Sequence, residues 1–321
     1  MGDLDISIVI PLFNEDESLP ELTSWIVKVM DREGYAYEII FVNDGSTDNS
    51  WRVIQELSAQ NENVKGISFR KNQGKSAGLN QGFKAASGQV VITMDADLQD
   101  SPEEIPELRK MILEDGYDLV SGWKQKRYDP WTKTIPTKLF NAATRRISKI
   151  KLNDFNCGLK AYRLEVIKNI EVYGEMHRYI PFLAKNKGFD KIGEKVVQHQ
   201  ARKYGKTKFG LDRFINGFLD LATLAVMGKF GRRPMHFFGA AGTLMFIVSI
   251  ILLAILGGYK IWALSAGVEA RLITENPLFY LLLVSTIIGV QLFGVGFIAE
   301  LQLRESNKKH DYTINDKIGL D

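Results

Sequence analysis

Residues 89–100 read QVVITMDADLQD. The apolar, β-branched run predicts a buried strand, and the acidic tripeptide Asp95-Ala96-Asp97 falls where that strand ends. Pleat alternation sends Asp95 and Asp97 to one side, with the small Ala96 between them. Two carboxylates at a strand end suit a hard divalent cation that bridges phosphate oxygens. The tripeptide alone is a weak pattern. Its position after an apolar strand, with Gln99 and Asp100 behind it, makes it specific. Asp100 or Ser101 is expected to cap a helix that begins near Ser101-Pro102-Glu103.

Upstream, the chain alternates two periods. β-Rich runs cover Ile6–Pro11, Tyr37–Asn43, Val64–Arg70 and Gln89–Met94, with a fifth at Leu119–Gly122. Amphipathic stretches at Ser18–Met30, Asn49–Ala59, Ser76–Ala86 and Glu103–Glu114 lie between them. This alternation predicts an α/β fold with a mostly parallel central sheet and helices on both faces. Such sheets bind ligands outside the carboxyl ends of their strands. The segments that follow strands, PLFNE at 11–15, NDGSTD at 43–48 and DADLQD at 95–100, should therefore converge on one edge. Gly45 permits a tight turn there, and Ser46 and Asp48 are expected to cap the next helix. Asp44 is placed to accept hydrogen bonds from a base or ribose. Lys71-Asn72-Gln73-Gly74-Lys75-Ser76 ends like a P-loop, but Phe69 stands where that motif needs its first glycine, so a turn before a helix is expected.

Charge is segregated. Residues 1–123 carry 22 acidic and 10 basic side chains, and residues 124–321 carry 16 acidic and 31 basic, within a net charge of +3. An acidic front suits a metal, and a basic back suits phosphates or an anionic membrane face. No nucleic-acid motif accompanies the basic stretch, so nucleic acid is not expected as a partner. The lone Cys157 excludes an internal disulfide, and the four histidines lack paired zinc spacing. His199 is expected to orient a neighbouring loop. The N-terminus lacks the basic and long apolar regions of a signal peptide, which places the front domain in the cytoplasm.

The strongly basic segment 124–151 predicts an amphipathic helix over about 136–151, opened by Pro136. A second amphipathic helix is expected within 209–233; both suit a membrane interface. Pro234–Tyr259 and Pro277–Ala299, 26 and 23 residues long, contain no Asp, Glu, Lys or Arg. Spanning a bilayer takes ~20 residues, so both are expected to cross it. Lys229, Arg232 and Arg233 before the first span, and Arg304, Lys308 and Lys309 after the second, put both ends on the cytoplasmic side. The expected organisation is a catalytic domain over 1–208, a juxtamembrane helix over 209–233, two spans within 234–301 and a cytoplasmic tail over 302–321. Gly289, Gly294 and Gly296 offer close-packing sites for self-association.

The motifs PLFNE, VNDGSTD and MDADLQDSPEE together resemble the inverting family 2 glycosyltransferases of the GT-A fold. DFNCGLK at 154–160 and HQARKYGKTK at 199–208 resemble the branch of dolichol-phosphate mannosyltransferases and bactoprenol glucosyltransferases. The resemblance covers nearly the whole chain, including two spans after the catalytic domain. It implies that Pro11, Phe13, Glu15 and Asp44 hold the nucleoside. Phe13 stands where the family usually has tyrosine, so a hydroxyl contact is lost. It implies Mg2+ or Mn2+ and the diphosphate at Asp95, Ala96, Asp97 and Gln99. Arg202 and Lys208 would clamp phosphates. Lys124 and Arg127 stand where the family often has two arginines, and a lysine at 124 forfeits bidentate contact. Asp154 stands where a base is often assigned.

The expected reaction is inverting transfer of a sugar from a nucleotide-sugar, with UDP-glucose favoured and GDP-mannose the alternative, to a polyisoprenyl phosphate. A lipid phosphate has a second pKa of about 6 and is already largely ionised, so Asp154 is expected to position the metal or acceptor. A processive polysaccharide synthase would need a QxxRW motif and further spans. A non-enzymatic nucleotide-sugar-binding scaffold would not need the Asp95/Asp97 pair.

Overall fold

The computed structural model describes residues 4–125, 141–200, 203–204, 234–269 and 271–306. Arg127, Arg202, Lys208, the helix start at Pro136, the juxtamembrane helix at 209–233 and the tail beyond 306 lie outside the described residues. The chain divides into two compact units; residues 4–204 belong to the first and residues 234–306 to the second.

The first unit begins with β1 (Ile6–Leu12), α1 (Leu19–Glu33), β2 (Tyr37–Asn43), α2 (Ser50–Gln60), β3 (Val64–Ser68), α3 (Lys75–Ala85) and β4 (Val90–Thr93). It continues with α4 (Ile105–Leu113), β5 (Leu119–Trp123), a helix α5 over 141–148, β6 (Lys160–Arg163), α6 (Leu164–Asn169), α7 (Ile180–Asn186) and β7 (Ile192–Val196). β1 and β2 are buried along their whole length, because helices cover both faces. α1 starts with a proline in its first turn and stops at Gly34, whose φ of 68° is a left-handed cap. Its Leu22, Ile26, Val29 and Met30 pack into the core.

All five expected strands and all four expected helices are present. The sheet has seven strands in the order β3-β2-β1-β4-β6-β5-β7. β6 and β7 were not legible in the sequence. β6 is only four residues, KAYR, and β7, IGEKV, lies at the sheet edge with two charged residues. Neither presents the apolar run that marks a buried strand.

β6 matters most for the site. It runs antiparallel between β4 and β5, with Lys160 in register with Thr93 and Ser121. Antiparallel entry puts its first residue at the carboxyl edge of β4, so the 154–159 loop arrives beside Asp95. β7 is parallel to β5 and ends opposite Trp123, delivering residues 197–200 to the same edge. There His199 bridges Asp100, and the Gln200 N–H donates to the Gln99 carbonyl at 3.0 Å.

The second unit pairs α8 (Pro234–Ser265) with α9 (Pro277–Ser306), helices of 32 and 30 residues. At 1.5 Å per residue these are about 48 and 45 Å long, well beyond the ~30 Å of bilayer hydrocarbon. Their mean hydropathies are 2.5 and 2.3 over the candidate spans, and most of their apolar side chains face outward. α8 continues past the expected end at Tyr259, through Lys260, to Ser265. A long lysine stem reaches toward an interface without breaking a helix.

Glycines set the approach of this pair. A Cβ on Gly242 would stand 2.5 Å from the Gly289 carbonyl oxygen, and one on Gly296 would meet the Gly239 nitrogen at 3.0 Å. Gly289 and Gly296, expected at a contact between copies, thus face the other helix of the same chain. Only Gly294 of the three has nothing within 4 Å. Gly242→Leu should cost about 1–3 kcal/mol by overpacking, seen as a lower thermal midpoint in detergent. Gly294→Leu, facing open space, should change stability by less than about 0.5 kcal/mol.

Candidate active site

The chain turns sharply after β4. Asp95 and Asp97 follow on one loop, and Leu98, at φ 61°, folds the backbone so that the Gln99 N–H donates to Asp97 Oδ1 at 3.2 Å. Ala96 puts its methyl into the hydrophobic core, which leaves only its backbone for any ligand. Ser101, not Asp100, supplies the helix cap, accepting from the Glu103 N–H at 3.3 Å. Asp100 is fully buried and pairs with Lys124 at 2.7 Å. Gln99 Nε2 donates to the Gln200 carbonyl at 3.4 Å, tying this loop to the strip that leads into the basic segment.

Asp95 is the electrostatic centre. Lys75, at the start of α3, forms a close ion pair with its Oδ1. Burial would raise the Asp95 pKa, but Lys75 first, then Lys124 and Lys160, outweigh burial and hold it well below the usual carboxylate range. Burial would likewise lower the Lys124 ammonium, and Asp100 above all keeps it charged. Lys160 is enclosed, donates to the Cys157 carbonyl, and is pushed below the ordinary lysine value by burial. Burial pushes the Cys157 thiol up to about 12, which makes it inert. His177 stands beside Lys75, its Nδ1 3.1 Å from Ser76 Oγ. Burial, then Lys75, Arg178 and Lys160, drive its pKa far down, so its ring is neutral at pH 7.

Asp154 lies buried in the loop before β6. Its Oδ1 accepts from the Asn156 N–H at 3.0 Å, and its own N–H donates to Glu194 at 2.9 Å. On the other side of the sheet edge, Pro11 is buried in β1, and Phe13 and Glu15 lie in the loop that follows. That loop is latched to the β2–α2 turn. The Asn14 N–H donates to Ser46 Oγ at 2.9 Å, and Asn14 Oδ1 accepts from the Thr47 N–H at 2.8 Å. Ser46 therefore works across loops, and Asp48 serves the start of α2, its Oδ1 accepting from the Ser50 N–H at 2.9 Å. Asp44 accepts from the N–H groups of Gln73 and Gly74, at 2.6 and 2.9 Å. It thereby clamps the loop that carries Lys75, a role the sequence did not reveal.

The structure thus gathers Asp95, Asp97, Gln99, Lys124 and Asp154 at one edge, with Asp44, Phe13 and Glu15 along it. Lys75, Lys160, His177 and Gly158 were missed as site residues. The GKS tripeptide marked Lys75, but rejecting a P-loop hid it. Among the described residues no three His, Cys, Asp or Glu side chains cluster as a metal cage. Nucleotide-bound Mg2+ or Mn2+ needs only one or two carboxylates, with phosphates completing the shell. Asp95 and Asp97 meet that need, and Lys75 shows that a cation already sits against Asp95.

Gly158 sets the room around Asp95, since a Cβ there would stand 2.5 Å from Asp95 Oδ2. Gly158→Ala must displace the carboxylate, and a misplacement near 1 Å costs about a hundredfold in rate. The expected outcome is that loss in kcat/KM, with an unchanged circular dichroism spectrum.

Residues 7–171 match the family described as Glycosyl transferase family 2. The dodecaprenyl-phosphate galacturonate synthase of Rhizobium johnstonii is 32% identical over 304 residues, covering 94% of this chain and 88% of that protein. The undecaprenyl-phosphate 4-deoxy-4-formamido-L-arabinose transferase of Shewanella sediminis is 35% identical over 300 residues, covering 92% and 86%. Among solved structures, glucosyl-3-phosphoglycerate synthase from Mycobacterium tuberculosis, in complex with Mn2+, UDP and glucosyl-3-phosphoglycerate, superposes with a TM-score of 0.55 at 18% identity. That alignment covers 70% of this chain and 80% of the other, and it shows the shared GT-A fold. With the acidic loop after β4, the crossing of β6 and the match along most of the catalytic unit, the chain belongs to glycosyl transferase family 2.

Proposed function

We infer that this chain transfers a sugar from a nucleoside diphosphate donor to a polyprenyl phosphate, inverting the anomeric carbon. The observation that carries the reading is Asp95 and Asp97 at the edge of a sheet, ringed by Lys75, Lys124 and Lys160. Both relatives are named for transfer to a polyprenyl phosphate, and two helices long and apolar enough to cross a membrane suit a lipid acceptor.

The donor lies along the carboxyl edge, with its nucleoside against Pro11, Phe13, Glu15 and Asp44. UDP is the favoured nucleotide, as in the solved relative. The two sequence relatives are named for galacturonate and for 4-deoxy-4-formamido-L-arabinose, and neither for glucose. Asp95, Asp97 and Gln99 would hold Mg2+ or Mn2+, which when bound stabilises negative charge growing on the leaving diphosphate. Lys75 and Lys124 add positive charge beside the same oxygens. Arg127, Arg202 and Lys208, outside the described residues, are assigned phosphate contacts on their sequence positions alone. An acceptor phosphate oxygen attacks the anomeric carbon. The bond from that carbon to the diphosphate breaks, and its electron pair leaves on the β-phosphate oxygen. The products are nucleoside diphosphate and polyprenyl phosphosugar.

The acceptor is an ionised phosphate and has no proton to lose. Asp154, tied to Asn156 and Glu194 through its own loop, positions that loop and the groups it carries. The basic residues that flank both spans in the sequence support a cytoplasmic catalytic unit and cytoplasmic termini.

Purified protein, undecaprenyl phosphate, Mn2+ and a panel of UDP- and GDP-sugars should yield a lipid-linked phosphosugar by mass spectrometry. Absence of lipid product with every donor would end this reading. Asp154→Asn keeps an oxygen to accept from Asn156 and should retain most activity with an unchanged pH profile. Complete loss in a folded variant would instead make Asp154 the base.

A further inference from the structure

The strip of chain that leaves β7 runs beside the acidic loop and is bonded to it. The Gln200 N–H donates to the Gln99 carbonyl at 3.0 Å, and Gln99 Nε2 returns a bond to the Gln200 carbonyl at 3.4 Å. Gln99 in turn orients Asp97, because its N–H donates to Asp97 Oδ1 at 3.2 Å. The carboxamide nitrogen of Gln99 is engaged with the strip, so its oxygen is the atom offered to a hard cation. Where the strip lies therefore decides how Asp97 and Gln99 are presented.

Two carboxylates outside the site fix the strip, one on each side of Gln200. On the β7 side, Glu104 is only 8% exposed. Its Oε1 accepts from the Gln198 N–H at 3.0 Å, and its Oε2 pairs closely with Lys195. Lys195 also lies 2.9 Å from Glu107. On the other side, Glu21 of α1 takes Lys203 Nζ at 2.7 Å and the Tyr204 hydroxyl at 3.1 Å, while the Tyr204 ring packs on the core. The same helix holds the continuation of the acidic loop. Trp25 and Arg32 donate to Glu103 at 3.2 and 2.8 Å, and their spacing from Glu21 puts all three on one face of α1. α1 is a common rail for both segments. An exposed ion pair such as Glu21–Lys203 adds little to stability, so what it contributes is the position of the strip.

We propose that Glu104 and Glu21 are positioning residues of the active site: they hold the strip against the acidic loop and, through Gln200 and Gln99, set Asp97 for the metal and diphosphate. This rests on the transferase reading above and deepens it with two residues that touch neither donor nor acceptor. Removing a group that orients a metal ligand typically costs about 10–100-fold in metal affinity or activity. In the sequence the two anchored stretches also bracket Arg202, which is assigned a phosphate contact.

The test measures Mn2+ binding to the full chain in detergent with saturating UDP, by electron paramagnetic resonance of the free ion, alongside the thermal midpoint. Glu104→Ala should weaken Mn2+ by about tenfold. Glu104→Gln keeps an acceptor for the Gln198 N–H and leaves Lys195 with Glu107, so it should restore binding to within about threefold of the unaltered protein. Glu107→Gln, which removes only the second partner of Lys195, should leave Mn2+ binding unchanged. Glu21→Ala should weaken Mn2+ by about two- to fivefold, and its exposed site keeps the test open should the Glu104 variants fail to fold. A lower thermal midpoint with unchanged Mn2+ affinity in these variants would make both carboxylates purely structural and overturn the proposal. An equal loss from Glu107→Gln and Glu104→Ala would trace the effect to the charge of Lys195 rather than to the strip, and would also overturn it. If the unaltered protein binds no Mn2+ with UDP, the nucleotide site and this proposal fall together. If it binds both yet makes no lipid product, the transferase reading fails, and the binding measurements still decide the proposal.

Discussion

The carboxylate of Asp95 is held ionised inside the fold by ammonium groups from three distant stretches of the chain. Lys75 comes from α3, Lys124 from the end of β5 and Lys160 from the start of β6. A part-buried carboxylate with such neighbours is a permanent negative charge at a strand end. The surrounding lysines need it as much as it needs them, because an enclosed ammonium without a counter-charge is costly. Further along the same loop, Asp100 is fully buried and paired with Lys124. The site is thus an interlocked array of charges rather than a pair of free acids.

That array depends on two features of backbone path. The first is the antiparallel insertion of β6, which turns the end of a loop toward the carboxyl edge of a parallel sheet. Thr93 and Lys160 become cross-strand partners, and the Thr93 hydroxyl fastens to the Gly158 carbonyl at 2.8 Å. The second is a chain of clamps running from β2 to α3. Gly45, with φ of 68°, packs against the backbone of Lys71, and Asp44 holds the next N–H groups. A side chain at Gly45 would collide with that loop, so the turn and the placement of Lys75 are coupled. Glycine adopts this conformation readily, so the turn itself stores no strain.

The second unit follows different physics. In a bilayer there is no hydrophobic gain from bringing two apolar helices together, so close backbone contact has to supply it. Gly239 and Gly242 on α8 meet Gly296 and Gly289 on α9, and the larger side chains are left to face outward. Their uncharged length serves the bilayer, and their glycines serve each other.

Periodicity and local chemistry made much of this legible without coordinates. Apolar runs marked β1 to β5, the 3.6-residue pattern marked α1 to α4, and uncharged length marked α8 and α9. Asp95 and Asp97 stood out because carboxylates after a buried strand have few structural uses. β6 and β7 escaped because short strands with charged residues carry no local signature; their neighbours, not their composition, make them strands. The same reason hid Lys75, Lys160 and His177. A lysine reads as solvated surface until the fold encloses it, and only the packing of α3, β6 and the Met176–Tyr179 turn around Asp95 does so. Identity and order of residues settle local structure, because short-range sterics and solvation act along the chain. Which charges end up facing one another is settled by strand order, a long-range property that no window of sequence contains.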